Sequence, residues 1–276
     1  MEGTSWMKRD ELRLQPTDLR TDMPSTARMY DYFLGGKDNF AVDRQAAEQV
    51  IKAFPAILET TRANRAFLGR AVRYAAGQGM RQFLDIGTGI PTQANTDQVA
   101  HEVAPDARVL YVDNDPIVLR HADALMAQAD GRKRTRVLMG DLRQPEEILT
   151  EARQLLDFDQ PIALMLVAIL HFIRDEEDPL RLVRTLLDAL PTGSMLLLSH
   201  ATGDFMPDES LDVHRTVYDQ ATSPFNDRSK AEVLEFFDGL EMPEPGLAQL
   251  PWWRPDGPVP EGSQRVSGWA GAGVKR

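Results

Sequence analysis

Residues 83–92 read FLDIGTGIPT, and this stretch decides the fold class of the chain. An apolar run that ends abruptly at a glycine is typical of a short buried strand. Gly87 and Gly89 stand one residue apart, which lets the backbone come close to a ligand at the turn. The helical pattern that follows would direct its positively polarised amino end at the same place. The stretch therefore predicts a strand, a turn and a helix with a ligand site between them.

Four more apolar runs follow this strand, and helical patterns separate them. The runs occupy residues 109–112, 136–139, 162–170 and 195–198. Strands that alternate with helices predict a parallel sheet covered on both faces, and right-handed crossovers make such a sheet doubly wound. Residues 240–250 and 266–274 are predicted to add two closing strands. The expected fold class is α/β, with a mostly parallel, Rossmann-like sheet.

A helical segment precedes the sheet, and no clear boundary divides the rest of the chain. Residues 1–24 lack a hydrophobic period, so they are predicted to form a tail that drapes over the body or stays mobile. Residues 25–78 show helical spacing. We expect one domain over residues 25–276, with a helical lid at 25–78 and an α/β core at 79–276.

The composition limits the class of protein. The 276 residues carry 42 acidic and 31 basic side chains, a net charge of −11 at pH 7, so no nucleic acid is expected as a partner. The absence of cysteine excludes disulfides, thiolate metal sites and cysteine nucleophiles, and it fits a cytoplasmic location. The longest apolar run is about half the roughly 20 residues of a membrane-spanning helix, so no membrane is expected.

Carboxylates stand at the ends of three successive predicted strands, beside the glycine turn. Asp85 precedes the first glycine, where it would repel a pyrophosphate and attract a ligand that carries an ammonium and a sulfonium. Asp113 suits the two hydroxyls of a ribose, and Asp141 suits an adenine amino group. The alternative is that these acids only cap helices. Their arrangement favours a cleft for adenosine with a cationic tail.

These residues resemble a class I S-adenosylmethionine-dependent methyltransferase. Longer strings are similar to one family in particular, the S-adenosyl methyltransferase family of actinobacterial genomes, first catalogued as a domain of unknown function. The matching strings cover residues 24–40, 64–68, 83–92, 111–116, 167–173, 198–202 and 253–255. The resemblance implies S-adenosylmethionine as cofactor and a seven-stranded sheet that ends in a hairpin of the two closing strands. One departure is residues 94–98, ANTDQ, where the family often has Gly-Asn followed by a His-Glu pair.

The front segment, residues 25–40, combines aromatic, ionic and glycine positions in a chain too polar for a core. We expect it to fold across the mouth of the cofactor site; the alternative is a solvated helix that ends at the glycines. Arg28, Lys37 or Arg65 of the following helix would pair with the methionine carboxylate. The predicted cofactor-binding residues are Asp85, Gly87, Thr88, Gly89, Asp113, Asn114, Asp141, Leu142, Ala168, Tyr32, Gly35, Gly36, Lys37, Asn39 and Arg65.

Methyl transfer from a sulfonium is an in-line displacement, which needs aligned reactants and excluded water more than any one catalytic group. His171, after the fourth strand, is the candidate catalytic residue, as a base or as a group that positions the acceptor. The favoured alternative is a buried histidine bonded to backbone. Residues 252–254, Trp-Trp-Arg, suit stacking on a planar acceptor. The favoured alternative is that this aromatic pair closes over the edge of the sheet. The other histidines lack the spacing of metal ligands, so no metal is expected.

We expect a methyltransferase that uses S-adenosylmethionine on a small-molecule acceptor, because a lid and an acidic surface suit an enclosed pocket. One alternative is a non-catalytic protein that binds the same cofactor and has a regulatory role. Another is an NAD-dependent oxidoreductase. Asp85 disfavours it, as does Thr92 in the place of the third glycine of the dinucleotide fingerprint. The sequence identifies neither the acceptor nor the oligomeric state.

Overall fold

The computed structural model describes residues 21–91, 94–118, 120 and 134–276 of the chain. The predicted N-terminal tail, residues 1–24, lies outside the described residues except for its last four. Within the described ranges, no helix is both long enough and apolar enough to span a membrane.

One eight-stranded sheet forms the centre of the described structure. Its strands are β1 (Gln82–Ile86), β2 (Arg108–Asp113), β3 (Thr135–Met139), β4 (Ala163–Val167), β5 (Met195–Ala201), β6 (Leu240–Glu241), β7 (Ala248–Gln249) and β8 (Gly268–Lys275). The first five are parallel in the spatial order β3-β2-β1-β4-β5, and β8 runs antiparallel beside β5. From β1 the chain adds β2 and β3 on one side of the sheet, and then β4 and β5 on the other side. The strand order therefore reverses between β1 and β4, which opens a crevice at their carboxyl ends. The predicted mostly parallel α/β fold is confirmed.

The closing strands differ from their predicted extents. The run predicted over residues 240–250 forms two short strands, β6 and β7, which both pair with β8. Pro243, Pro245 and Gly246 stand between them, and a proline lacks the N–H that a sheet ladder needs. The sheet therefore has eight strands where seven were expected.

Helices cover both faces of the sheet. The helices whose bounds are described are α1 (Thr26–Phe33), α2 (Ala41–Ala53), α3 (Ile57–Gly77), α4 (Thr96–Val103), α5 (Pro145–Ala152), α6 (Pro179–Asp188), α7 (Asp208–Tyr218) and α8 (Lys230–Glu235), with 3-10 turns at Leu170–Phe172, Asp175–Glu177, Leu250–Trp252 and Ser263–Arg265. Leu84 of β1 belongs to a core cluster with α5 and α6, whereas its neighbour Phe83 belongs to a second cluster with α3 and α4. Alternate side chains of one strand thus serve two cores.

A third core cluster lies at the front of the molecule. Met29 and Phe33 of α1, Val50 of α2 and Tyr218 of α7 are buried in it together. Because α1 packs on α2 and α7 in this way, its first turns lie against the cavity at the strand ends. The packing of the front helices therefore decides which of their side chains reach that cavity.

Candidate active site

A cavity of about 240 Å³ lies at the carboxyl ends of the central strands. Parallel strands end at one edge of the sheet, so residues far apart in sequence meet there. The start of α1 also reaches this cavity, through a group of residues that includes Arg28 and Tyr30. Most of the predicted cofactor residues line the cavity, namely Arg65, Asp85, Gly87, Thr88, Gly89, Asp113, Asn114, Asp141, Leu142 and Ala168.

The turn after β1 depends on its two glycines. Gly87 has a φ of +78°, and a Cβ at this position would lie 2.6 Å from Cγ1 of Ile169, so a larger residue would clash. Gly89 has a φ of +67°, and no heavy atom lies within 4 Å of the place that its Cβ would take. The backbone of Gly89 therefore lies open beside the cavity, where a ligand can approach it closely.

Asp85 is buried in the cavity wall, with 3% of its surface exposed. Its Oδ2 accepts a hydrogen bond of 2.7 Å from Oγ1 of Thr96. Burial raises the pKa of Asp85 to about 6, while the Thr96 hydroxyl and the charge of Arg65 act in the opposite direction. A buried carboxylate of this kind gains from a cationic partner, which a ligand ammonium would supply.

Asp113, at the end of β2, faces the glycine turn. Its Oδ2 accepts the N–H of Gly89 and its Oδ1 accepts the N–H of Asp115, both at 2.9 Å. Burial raises the pKa of Asp113 to about 6, although these backbone N–H groups lower it. Each carboxylate oxygen keeps a second acceptor position, which suits a pair of ribose hydroxyls.

The carboxyl of Asp141, after β3, is bonded to two side chains. Asn114 Nδ2 donates to its Oδ2 at 3.0 Å, and Arg143 contacts its Oδ1 through the backbone N–H at 2.9 Å and Nη1 at 3.2 Å. Burial acts to raise the pKa of Asp141, but the bonds from Arg143 and Asn114 outweigh burial and lower it. Asp141 is thus an ionised acceptor at neutral pH.

The three cations that were predicted to bind a ligand carboxylate have different surroundings in the structure. Arg65 lines the cavity, where its Nη2 donates to Oδ1 of Asn95 at 2.7 Å. Arg28 also lines the cavity, but its Nε forms a buried ion pair of 2.7 Å with Asp43, which balances its charge. Lys37 is not among the lining residues. Arg65 is therefore the cation best placed to meet a ligand carboxylate.

The second half of the front segment folds back on itself and on α2. The hydroxyl of Tyr32 donates to Glu48, and the backbone of Gly36 packs against Asp31. The Asp31 carboxylate accepts a bond of 2.8 Å from Nδ2 of Asn39. These contacts hold the segment away from the strand ends. Five predicted cofactor residues therefore do not line the cavity: Tyr32, Gly35, Gly36, Lys37 and Asn39.

His171, the predicted catalytic residue, does not line the cavity either. Its Nδ1 accepts the N–H of Ala201 at 3.4 Å, and its ring centroid lies 4.2 Å from that of Phe172. Burial, with the nearby groups of His200 and Arg228, lowers the pKa of His171 well below 6.5. The imidazole is therefore neutral at pH 7 and is bonded to backbone, outside the lining of the cavity.

The aromatic pair of residues 252–254 lies elsewhere as well. Trp253 is fully buried and packs edge to face on Phe67 and Tyr74, with ring centroids 5.1 and 5.8 Å apart. Because it belongs to the core cluster of α3 and α4, it covers the sheet and does not stack on a ligand in the cavity.

Sequence reasoning missed several polar residues of the cavity. Tyr30 lies in the front segment that was expected to cross the mouth of the site, but it was not named as a cofactor residue, and the only signal for Asn64 was a string that resembles a family. Thr222 and Ser223 follow α7 without any motif. Thr222 Oγ1 accepts the N–H of Thr26 at 3.2 Å, a contact between distant parts of the chain that leaves no local pattern.

A family model described as S-adenosyl methyltransferase matches residues 13–276. The chain belongs to this family. No curated protein matches the chain. In this methyltransferase, the backbone conformation at position 94 explains why the family often has a glycine there. Ala94 has a φ of +57°, in the left-handed region that favours glycine.

Solved structures agree with the family. A DUF574 family protein from Streptomyces avermitilis is 41% identical, covers 94% of this chain and 100% of its own, and has a TM-score of 0.88. A candidate methyltransferase from Thermobifida fusca is 39% identical, covers 95% of this chain and 98% of its own, and has a TM-score of 0.86. The fold is shared, at 12% identity and a TM-score of 0.51, by N-methyltransferase NodS from Bradyrhizobium japonicum, solved with S-adenosyl-l-homocysteine; that match covers 90% of this chain and 98% of NodS.

The enzyme is thus a methyltransferase with S-adenosylmethionine as its cofactor. The cavity fits this cofactor, because Asp85 and Arg65 offer opposite charges for an ammonium and a carboxylate. The open backbone at Gly89 admits a ligand beside them. The non-catalytic regulator and the oxidoreductase are accordingly set aside.

Proposed function

We propose that this methyltransferase transfers a methyl group from S-adenosylmethionine to a small-molecule acceptor. The observation that carries the proposal is the presence of a buried acid, Asp85, and a cation, Arg65, in one cavity beside the glycine turn. These opposite charges suit the two charged groups of the methionine part, each of which would gain a charge-assisted hydrogen bond.

In this proposal, each residue at the strand ends binds a different part of the cofactor. Asp85 accepts from the ammonium, and Arg65 donates to the carboxylate. Asp113 accepts from the ribose hydroxyls, and Asp141 accepts from the adenine amino group. When bound, the cofactor supplies a methyl group on a positively charged sulfur. The proposed cofactor residues are Asp85, Gly87, Thr88, Gly89, Asp113, Asn114, Asp141, Leu142, Ala168 and Arg65.

We further propose that the chain promotes transfer by alignment and exclusion of water, with no proton transfer to His171. Ile169 and Phe172, which follow β4, line the cavity with apolar surface that keeps water from the ligand. His171 lies between them in sequence and accepts a backbone N–H, so its role is to hold this loop in place.

The helical segment 25–78 is proposed to act as a lid on the α/β core, 79–276, within a single domain. Support comes from the start of α1, where Oγ of Ser25 donates to Oδ2 of Asp115 at 3.0 Å, close to the end of β2. The hydrogen bond joins the two parts directly at the rim of the cavity. Binding and release of ligands would require this contact to open.

A concave site beneath such a lid supports a small acceptor over a macromolecular one. The net charge of −11 supports the expectation that nucleic acid is not the partner. The cysteine-free composition supports a cytoplasmic location.

Binding of S-adenosylmethionine is expected to weaken as the pH falls through about 6. The pKa values of Asp85 and Asp113 are each raised to about 6, so both are ionised at pH 7.5 and mostly protonated at pH 5. A protonated carboxyl lacks the charge that attracts the ammonium or orients the hydroxyls. For each carboxyl that must be ionised for binding, its protonation should raise Kd by about tenfold between pH 7 and pH 5, as measured by calorimetry. A Kd that stays constant over this range would contradict the assigned roles, and NADH serves as the ligand that should not bind.

Transfer itself is tested with methyl-labelled S-adenosylmethionine and a cell extract that has been separated by size. We expect label in the low-mass fraction, with an Asp85→Asn variant as the control that transfers less at a cofactor concentration below its Kd. Label confined to macromolecules would contradict a small acceptor. No label in any fraction, with cofactor binding intact, would contradict transfer.

A further inference from the structure

Four strings that lie far apart in the sequence meet in one hydrogen-bonded line. Asn64 of α3 donates through Nδ2 to the hydroxyl of Tyr30 in α1 at 2.8 Å. Ser199 of β5 donates through Oγ to Oδ1 of Asn64 at 2.5 Å. The N–H of Ala168, directly after β4, donates to the same Oγ at 3.0 Å. The line therefore runs from the front helix to the end of a central strand.

The two central residues of the line are buried, and the hydroxyl at its front end has a second partner. Asn64 is 7% exposed and Ser199 is 1% exposed. The Tyr30 hydroxyl, which accepts from Asn64, also donates to the carbonyl of Thr61 at 3.2 Å. Buried polar groups with all their partners in place fix one geometry, because any displacement leaves a group unsatisfied.

Ala168 adopts a strained conformation at the end of this line. Its φ of +57° lies in the left-handed region, which is strained for a residue with a side chain and persists only where the surroundings enforce it. Both oxygens of Ser199 hold the Ala168 N–H, Oγ at 3.0 Å and the carbonyl at 3.1 Å. Ser199 is thus the group that enforces the strain.

The conformation of Ala168 affects the wall of the cavity, because the backbone at Ala168 sets the position of the next residue, Ile169. Ile169 packs against Gly87 so closely that a Cβ on Gly87 would meet its side chain. Ala168, Ile169 and Gly87 all line the cavity. The hydrogen-bonded line therefore ends in the wall that carries the glycine turn.

We propose that Asn64 and Ser199 are positioning residues of the cofactor site: they act through Ala168, whose left-handed backbone they hold so that Ile169 meets Gly87. The inference rests on the proposed function, since the ligand whose binding it controls is the cofactor. It assigns a task to Asn64 and Ser199, which lie in the family strings at residues 64–68 and 198–202 and are not among the proposed cofactor residues.

The test compares Ser199→Thr, which keeps the hydroxyl, with Ser199→Val, which has nearly the same shape without it. S-adenosylhomocysteine is titrated into each variant by calorimetry. We expect Ser199→Val to raise Kd about three- to tenfold relative to Ser199→Thr, because release of the strain leaves only a fraction of the protein in the competent conformation. Thermal unfolding checks that each variant is folded at the temperature of the titration, and Ser199→Ala replaces the valine variant if that one does not fold.

A second substitution separates positioning from packing. Glycine adopts left-handed angles without strain, so Ala168→Gly added to Ser199→Val should bring Kd back to about that of Ser199→Thr. Equal binding by the threonine and valine variants, or no recovery with the glycine, would overturn the inference. Failure of the unaltered protein to bind S-adenosylhomocysteine would instead overturn the proposed function.

Discussion

Replacing Asp85 with asparagine should weaken the binding of S-adenosylmethionine by roughly 10- to 100-fold, the value of one charge-assisted hydrogen bond. Asparagine has nearly the same shape and can still accept from the Thr96 hydroxyl, which bonds the carboxylate at 2.7 Å. What the substitution removes is the negative charge beside the ligand ammonium. Calorimetric titration of the two proteins at pH 7.5 measures this loss directly.

The same substitution should stabilise the protein in the absence of ligand. A carboxyl whose pKa is higher in the folded state than in the unfolded state is protonated more readily when folded, so its ionisation opposes folding. The rise of the Asp85 pKa from 3.8 to about 6 corresponds to about 3 kcal/mol at pH 7, and this cost disappears below about pH 4. Urea denaturation should therefore show a higher free energy of unfolding for Asp85→Asn at pH 7 and little difference at pH 4.

Asp141→Asn is the matched control, because its shift has the opposite sign. Hydrogen bonds from Arg143 and Asn114 overcome burial and lower the pKa of Asp141, so its ionised form favours folding above its unfolded pKa. Its replacement should lower the free energy of unfolding at pH 7. A loss of stability in both variants would show that Asp85 is held by partners rather than strained by burial.

The acids of the site were predictable from sequence for a simple reason. Asp85, Asp113 and Asp141 stand at or just beyond the carboxyl ends of apolar runs, and parallel strands end at a common edge. Once the sheet was predicted, their convergence followed without knowledge of any tertiary contact. The same reasoning predicted the glycine turn, where Gly87 and Gly89 both adopt positive φ.

The residues at the front of the cavity were harder to predict from sequence, because the rotation of a helix about its axis is set by packing. Tyr30 and Tyr32 lie two residues apart, roughly 200° around α1, so only one of them can face the strand ends. Met29 and Phe33 are buried in the front cluster, which turns Tyr30 to the cavity and Tyr32 to α2. No pattern within the front segment distinguishes these two orientations.

A large loss of stability is expected when Asp43 is replaced by asparagine. Asp43 is fully buried and accepts three hydrogen bonds: from Arg28 Nε at 2.7 Å, and from the N–H groups of Ser25 and Phe40, both at 2.8 Å. Asparagine removes the carboxylate that forms the ion pair with the guanidinium of Arg28, which is only 1% exposed. Removal of one partner from a buried ion pair costs about 3–5 kcal/mol, which urea denaturation should detect as a lower midpoint.

Two further variants distinguish burial from charge as the cause. Asp256→Asn removes the partner of Arg73 in an exposed pair, with side chains 41% and 71% exposed, and should cost less than about 1 kcal/mol. The double variant Arg28→Met with Asp43→Leu should lose less stability than Asp43→Asn, because it removes both charges of the buried pair together. A loss from Asp43→Asn no larger than that from Asp256→Asn would mean that water reaches Arg28. In that case the ion pair would not hold the start of α1 against the cavity.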